Sequence, residues 1–380
     1  MHLKNLKRKR NGIEFGVYLL FLLSGCGQGV QQSDYIHINL SKRLPANPVN
    51  ASTLIEACRY IPLETTDESV IGSVNRIIPV QDGFFIFDAS KRVSFFDAEG
   101  RFVRRIASKG QGPGEYIDLF GFDLSEEERL LYLFDTSRQI LVYTFDNTFV
   151  RSIRLDVLYI SFMKTSWGYI AYKSPIMQSR FNAEKYEKEM PVLVSLDEDG
   201  KVLNVLQYGN FNSTQNLPMI IHAMFKKHNG QYYYYPEFQD TIYSVQVDKI
   251  VPEYILSKGR YRITMDDIET LDNWRVSLSQ GLMLTNFVID NHRLILWCRR
   301  RNNMETYLYD FSSGKLSGIS EIVNDMDHSC NFSPLMIYQH QWIEVRDASG
   351  ILKESKELPA ALKNLDSEDN PVIRISTLKL

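Results

Sequence analysis

The sequence is most informative first in what it withholds. Four cysteines in 380 residues are too few for a disulfide scaffold. Seven histidines are present, none in H-E-x-x-H or another metal-binding spacing, which removes the common zinc-hydrolase layouts. There is no G-x-S-x-G elbow for an acyl-transferring serine. The longest apolar run, Ile13 to Leu23, is eleven residues, whereas a membrane-spanning helix needs about 20. No excess of one charge sign is available for binding nucleic acid: the formal net charge is −3, and without the first 25 residues the balance is 38 basic against 45 acidic. What is abundant is aromatic: 21 Tyr and 21 Phe, 12% aromatic residues in all, a composition that favours pleated sheets. With 44% hydrophobic and 23% charged residues the chain has the make-up of a globular protein.

The N-terminus reads as an address. Lys4, Lys7, Arg8, Lys9 and Arg10 form a basic segment ahead of the apolar run, the layout of a secretory signal peptide. Leu23-Ser24-Gly25-Cys26 follows and resembles the lipobox of bacterial lipoproteins, which implies that Cys26 becomes the acylated first residue of the mature chain. Residues 1–25 are then the signal peptide, 26–34 a small, polar, flexible tether, and 35–380 the folded domain. Several acyl chains hold a protein on a bilayer stably.

The body repeats. At an offset of 47, Phe87-Asp88-Ala89-Ser90 aligns with Phe134-Asp135-Thr136-Ser137, and Phe102-Val103-Arg104-Arg105-Ile106 aligns with Phe149-Val150-Arg151-Ser152-Ile153. Between strand-like runs lie hairpin corners: Asp97 to Gly100, Asp197 to Gly200 and Asp347 to Gly350 share D-x-x-G, with weaker equivalents at Asn147, Asp248 and Gly314. Six corners spaced on average 50 residues apart, each flanked by alternating strands, are the pattern of propeller blades. The expected fold is therefore all-β, a six-bladed β-propeller with short helical insertions. The expected helices are Asn182–Met190, Met265–Ser279 behind a Thr264 cap, and Ser52–Arg59. The sixth blade is the least complete, and Tyr35–Leu40 and Val372–Leu378 are the terminal strands expected to fill it and hide open edges.

Tyr60-Ile61-Pro62-Leu63-Glu64-Thr65-Thr66 and Lys109-Gly110-Gln111-Gly112-Pro113-Gly114-Glu115-Tyr116 resemble signatures of the six-bladed β-propeller lipoproteins common in Bacteroides-type bacteria. Asp240-Thr241-Ile242-Tyr243 and Asn370-Pro371-Val372 resemble later signatures of the same group. The likeness spans roughly residues 50–380 and extends to NHL-type repeats, in which a Gly-Pro-Gly segment joins blades. It implies the fold and lipoprotein export, and brings no catalytic residues with it.

Several residues have two readings. Gly110 to Gly114 lacks the Gly-Lys-Ser/Thr ending of a phosphate loop and reads as an inter-blade turn, with Lys109, Glu115 and Tyr116 as the ligand-contact candidates. Asp88 and Asp135 at equivalent strand ends read as turn caps, or else as part of a carboxylate ring holding Ca²⁺ in the channel. Asp197 to Gly200 is a corner rather than a calcium loop, because the twelfth loop position is Tyr208. Tyr232 to Tyr235 reads as packing on both faces of a strand, or as a sugar-stacking platform. Arg299-Arg300-Arg301 reads as a solvated turn or an anion-binding rim, and Cys298 with Cys330 is a conceivable pair.

Two functions compete. One is a non-catalytic binding module, lipid-anchored in the bacterial cell envelope on its periplasmic or surface face, with an envelope protein or a glycan as partner, no nucleic acid and no cofactor. The other is a metal-dependent hydrolase or lyase with Ca²⁺ or another divalent ion in the central channel, which requires carboxylates or histidines converging from several blades.

Overall fold

A computed structural model describes residues 35–173, 189–210, 223–236, 238–264, 267 and 271–379. Three strands come first, β1 (Ile36–Asn39), β2 (Ala46–Asn50) and β3 (Ile55–Pro62), and none of them starts a blade. The first blade is β4 (Val74–Val80), β5 (Gly83–Asp88), β6 (Val93–Asp97) and β7 (Phe102–Ile106). The second is β8 (Leu119–Ser125), β9 (Leu130–Asp135), β10 (Gln139–Thr144) and β11 (Phe149–Arg154). The third comprises β12 (Ser161–Thr165), β13 (Gly168–Tyr172), β14 (Glu189–Leu196) and β15 (Val202–Asn210). The fourth comprises β16 (Ala223–His228), β17 (Gln231–Pro236), β18 (Thr241–Val245) and β19 (Ile250–Ser257). Helix α1 (Leu271–Gln280) precedes the fifth: β20 (Leu282–Ile289), β21 (Arg293–Arg300), β22 (Asn303–Asp310) and β23 (Lys315–Val323). The sixth blade takes β24 (Met336–Tyr338), β25 (Gln341–Arg346) and β26 (Val372–Leu378) from the end of the chain and β3 from its beginning. The six-bladed propeller is thus as expected, and β3 is the strand that closes it.

That closure corrects two expectations. Ser52–Arg59 is not a helix: only the short turn Ala51–Thr53 is helical, and β3 pairs antiparallel with β26 from Pro62 opposite Val372 to Ile55 opposite Leu378. Tyr35–Leu40 does not fill the sixth blade; β1 lies parallel on β19 of the fourth, and β2 lies parallel on β23 of the fifth. Both cover outer edges that would otherwise be open. The signatures Glu64-Thr65-Thr66 and Asn370 meet at the closure. Asn370 donates its side-chain amide to the carbonyls of Glu64 (2.7 Å) and Ser69 (3.0 Å), donates its N–H to Thr65 Oγ1 (2.9 Å), and accepts from the Ile71 N–H (3.0 Å).

Each blade buries both faces, so the second strands of the first four blades are runs of apolar and aromatic residues rather than alternating with charged ones, whereas β21 and β25 also carry buried Arg293, Arg300 and Glu344. The period of two survives as a division between interfaces. Phe85 and Phe87 of β5 pack towards the second blade, while Phe84 and Ile86 pack towards the sixth. Tyr232 and Tyr234 of β17 face the third blade, and Tyr233 and Tyr235 face the fifth. All four tyrosines are buried, so this run is packing on both faces and not a stacking platform. Six apolar clusters, one between each pair of adjacent blades including the sixth and first, complete the ring.

The corners explain their sequence code. Asp97 Oδ1 accepts the N–H groups of Glu99 (3.0 Å) and Arg101 (2.9 Å), and Asp197 Oδ1 accepts those of Asp199 (3.0 Å) and Lys201 (2.8 Å). Gly100 (φ 85°) and Gly200 (φ 80°) complete these turns in the left-handed region. Asp347-Ala348-Ser349-Gly350 breaks the rule: it opens helix α2 (Ala348–Glu354) with Asp347 extended at the N-cap position, and Ile351–Leu358 is accordingly not a strand. Asp suits an N-cap as well as a turn, so the motif is ambiguous. Met265–Ser279 is helical in part, as α1, and Asp267 accepts from the Thr264 N–H (2.8 Å) and hydroxyl (2.7 Å). The helix expected at Asn182–Met190 falls outside the described residues, except that Glu189 and Met190 begin β14.

Candidate central-channel site

The first strand of each blade lines the axis, and toward the ends of these strands lies a cavity of about 440 Å³. That is the size of small-molecule sites. Phe225 of β16 and Met336 of β24 are partly open to the cavity, while Met163 of β12 and Phe287 and Ile289 of β20 are buried in the inter-blade cores behind the lining. Charge enters from β4, β8, β12 and β16.

The charges fall into two kinds. Arg76 of β4 donates to Asp123 Oδ1 of β8 at 3.0 Å, and Asp123 Oδ2 accepts the Lys164 N–H at 2.8 Å, so this carboxylate is used on both sides. Lys164 sends its ammonium out of the channel to Glu198 (2.7 Å) and the Thr165 carbonyl (2.9 Å). At the rim, Glu126 accepts from the Tyr338 hydroxyl (3.0 and 2.9 Å) and the Gln81 N–H (3.1 Å). Burial keeps that Tyr338 hydroxyl protonated well above its ordinary range, with Glu126 adding to the effect. His228 lies against Asn291 at 3.0 Å, Lys227 is exposed above Tyr232, and His340 closes the rim. β20 contributes no titratable side chain to the lining.

Lys226 of β16 is different. Among the described residues it has no hydrogen-bond or ion-pair partner; its ammonium sits 5.8 Å from the Phe287 ring centre. Surrounding protein strips water from it, and Arg76 adds like-charge repulsion, which together push its pKa down to about 8. A half-buried cation that faces a cavity without a counter-charge is a candidate ligand contact.

The residues singled out from sequence lie elsewhere. The Gly110 to Gly114 segment runs between β7 and β8, entering β8 at the end opposite to the cavity-lining Asp123 and Leu124. Lys109 is exposed, and Glu115 folds back to accept the Gly112 N–H at 2.7 Å. Tyr116 is buried in the cluster between the first two blades, which raises its pKa. Gly114 (φ 82°) donates nothing to the axis; its carbonyl accepts the Tyr143 hydroxyl, fastening the linker to the second blade. Asp88 and Asp135 cap turns. Asp88 accepts the Gly72 N–H (3.1 Å) and Arg92 N–H (3.3 Å), and Asp135 accepts those of Ile117 (3.2 Å) and Asp118 (3.0 Å), each carboxylate tying its blade to the preceding linker. Arg300 is buried and paired with Glu305 at 2.8 Å, so the Arg299 to Arg301 run is not a wholly solvated turn. Cys58, Cys298 and Cys330 are free thiols. Among the described residues no group of three or more His, Cys, Asp or Glu is arranged to hold a metal ion. Cys26 precedes the described residues.

Sequence reading passed over Lys226 because a Lys-Lys pair resembles a solvated strand edge. One signal was available: Arg76 and Asp123 are separated by 47 residues, the same offset that relates the first two blades, so charge recurs at one position of the innermost strand.

Fold and cavity together define a six-bladed β-propeller with a ligand-sized axial channel. The chain belongs to the family described as "Domain of unknown function (DUF4934)", whose model matches residues 36–377. Among solved structures it is similar to a Bacteroides fragilis protein named as exported, with 18% identity over 91% of this chain and 100% of that one, at a TM-score of 0.71. It is also similar to a member of the DUF4221 family from Bacteroides vulgatus, with 10% identity over 86% and 97% of the two chains and a TM-score of 0.49. The first of these likenesses shows a shared fold. No curated protein matches the sequence.

Proposed function

We propose that this protein is an exported, lipid-anchored propeller of a bacterial cell envelope that binds a ligand in its axial channel without transforming it. The observation that carries the binding reading is the uncompensated Lys226 cation facing a 440 Å³ cavity. Export and acylation are supported by the basic and apolar N-terminal segment with Cys26 behind it, and by the exported name of the Bacteroides fragilis relative. The Gly-Pro-Gly linker between the first two blades supports kinship with NHL-type repeats. The partner class is an envelope glycan or protein. A ligand contact at Lys109 is placed second to the channel, because Tyr116 beside it is committed to the core.

Hydrogen-exchange mass spectrometry tests the reading. Solubilised envelope fractions should slow exchange at the ends of β4, β16 and β20, and the fraction should be recovered chemically unchanged. Unaltered exchange there, or conversion of a component by the protein, contradicts it.

A further inference from the structure

A body with more acidic than basic residues concentrates arginine at one place. Resting on the acylation reading above, we propose that the arginine-rich end of the fifth blade lies on the bilayer, its exposed guanidiniums on the phosphates of anionic lipids.

The patch is built around one ring. Tyr261, in the helical turn Gly259–Tyr261 after β19, has three guanidiniums near it: Arg300 at 4.4 Å from the ring centre, Arg260 at 5.1 Å and Arg301 at 5.9 Å. Arg260 also donates to the Tyr261 hydroxyl at 3.0 Å, and this bond, with the charges of Arg260, Arg301 and Arg300, holds the phenol below its ordinary pKa. Arg300 is the buried member. It donates to Glu305 (2.8 Å) and to the Leu40 carbonyl (2.6 Å), and its Nη1 has no acceptor among the described residues. Arg43 joins from the segment after β1, at 3.3 Å from Glu305 and with its own side chain largely exposed. One carboxylate thus serves Arg43 and Arg300, while Arg260 and Arg301 have no ion pair among the described residues. Asp240 does not discharge the patch, because Lys258 (3.2 Å) and Arg262 (2.7 Å), which flank the Tyr261 turn, are both bonded to it. Beyond the first 25 residues the chain holds 38 basic against 45 acidic residues, so this local excess runs against the whole.

Three features select a membrane surface. Arg43, Arg260 and Arg301 are exposed, so they meet an extended field of charge rather than enclose a small anion. A guanidinium matches phosphate through paired N–H groups, and the half-buried Tyr261 with the exposed Met304 at the start of β22 adds the amphipathic and apolar contacts that suit an interface. The chain path agrees. Residues 26–34 span at most about 30 Å between Cys26 and Tyr35. β1 follows, about 13 Å long, and Leu40, which holds Arg300, comes directly after it. Acyl chains and a basic patch can therefore reach one bilayer together, the two signals that make an anchor stable. Arg300 pairs with Leu282 at the start of β20, whereas the cavity-lining Phe287 to Ile289 lie at the other end of that strand, so the channel opens away from the bilayer.

The experiment uses the native acylated protein in vesicles of phosphatidylcholine alone or mixed two to one with phosphatidylglycerol. Arginines are modified with phenylglyoxal and read by mass spectrometry. Arg43, Arg260 and Arg301 should react at least about fivefold more slowly on the mixed vesicles. High salt should abolish that difference while the protein still floats with the vesicles on its acyl chains. Arg129 and Arg151 of the second blade, also exposed, should react alike on both. Arg260→Gln with Arg301→Gln should remove the protection of Arg43 and leave the melting temperature unchanged, since both side chains are exposed. Free inorganic phosphate should protect none of them. Equal reactivity on the two vesicle types, equal protection of Arg129 and Arg151, or protection by inorganic phosphate alone overturns the proposal. If the protein floats in high salt and the patch is unprotected at low salt, the patch assignment falls alone. If the patch is protected at low salt and the protein leaves the vesicles in high salt, the acylation reading falls and the patch stands.

Discussion

At the scale of single residues, the described charges include buried pairs that hold the ring and the half-buried Lys226, which faces the cavity without a partner. Arg374 of β26 shows the first kind. It is fully buried, bonded to Glu344 at 2.5 Å and 3.0 Å and to the carbonyls of Cys330 (2.6 Å) and Asn331 (2.7 Å), with its guanidinium over the Phe332 ring at 3.7 Å. Arg374→Met leaves buried Glu344 with only the Ser333 N–H (2.9 Å) and the more distant Arg346 (3.9 Å), and urea denaturation should show a loss of about 3 kcal/mol, much of it recovered by adding Glu344→Gln. Lys226 behaves oppositely. Its pKa is depressed in the folded chain, so its burial penalty is fully present below pH 8 and is relieved as pH rises toward the unfolded value. The stability gained by Lys226→Met should therefore be largest near pH 7 and vanish above about pH 10.5, followed by thermal denaturation across pH. Binding of an anion at Lys226 should weaken above pH 8, approaching about tenfold per pH unit, because the amine then loses its charge. The turn aspartates were legible from their spacing, since an Asp side chain can satisfy only nearby N–H groups. Lys226 was not, because the sequence does not say which of four strands in a blade faces the axis.

At the scale of elements, alternation within strands and the D-x-x-G corners were enough to locate most blades. They failed where one residue type serves two conformations, as at Asp347, and where a strand pairs with a segment some 300 residues away. In β3 only Ile55 and Ile61 are buried, with polar residues between them, which is how an outer strand on a finished blade looks. Such a strand carries little hydrophobic signal of its own, and its partner β26 lies at the far end of the chain. Yet its removal exposes the edge of β26 and the cluster shared with the first blade. Deleting residues 36–50 should lower the melting temperature while leaving a monomeric ring, because β1 and β2 only add fifth strands. Deleting residues 36–62 should produce aggregates on size-exclusion chromatography. A monomeric, cooperatively melting product would show that β3 is dispensable.

At the scale of the whole molecule, six similar interfaces make the ring one cooperative body, so the channel is a property of all blades at once. Repeats along the chain made this architecture readable; the channel lining was hidden because it is assembled from residues as far apart as Arg76 and Tyr338. The proposed placement of the body at a membrane rests on acylation of Cys26. Membrane attachment of the native protein should survive a high-salt wash, and Cys26→Ala should shift the protein to the soluble fraction; equal release of both would refute acylation. The most direct test of the channel as a binding site is the titration of Lys226 itself. With lysines carrying ¹³C-methyl labels, and the Lys226 signal assigned by its loss in Lys226→Arg, the resonance should titrate near pH 8 in the free protein and move upward when an anionic ligand occupies the channel. A Lys226 signal that titrates in the ordinary lysine range, unmoved by any acidic ligand, would contradict the account.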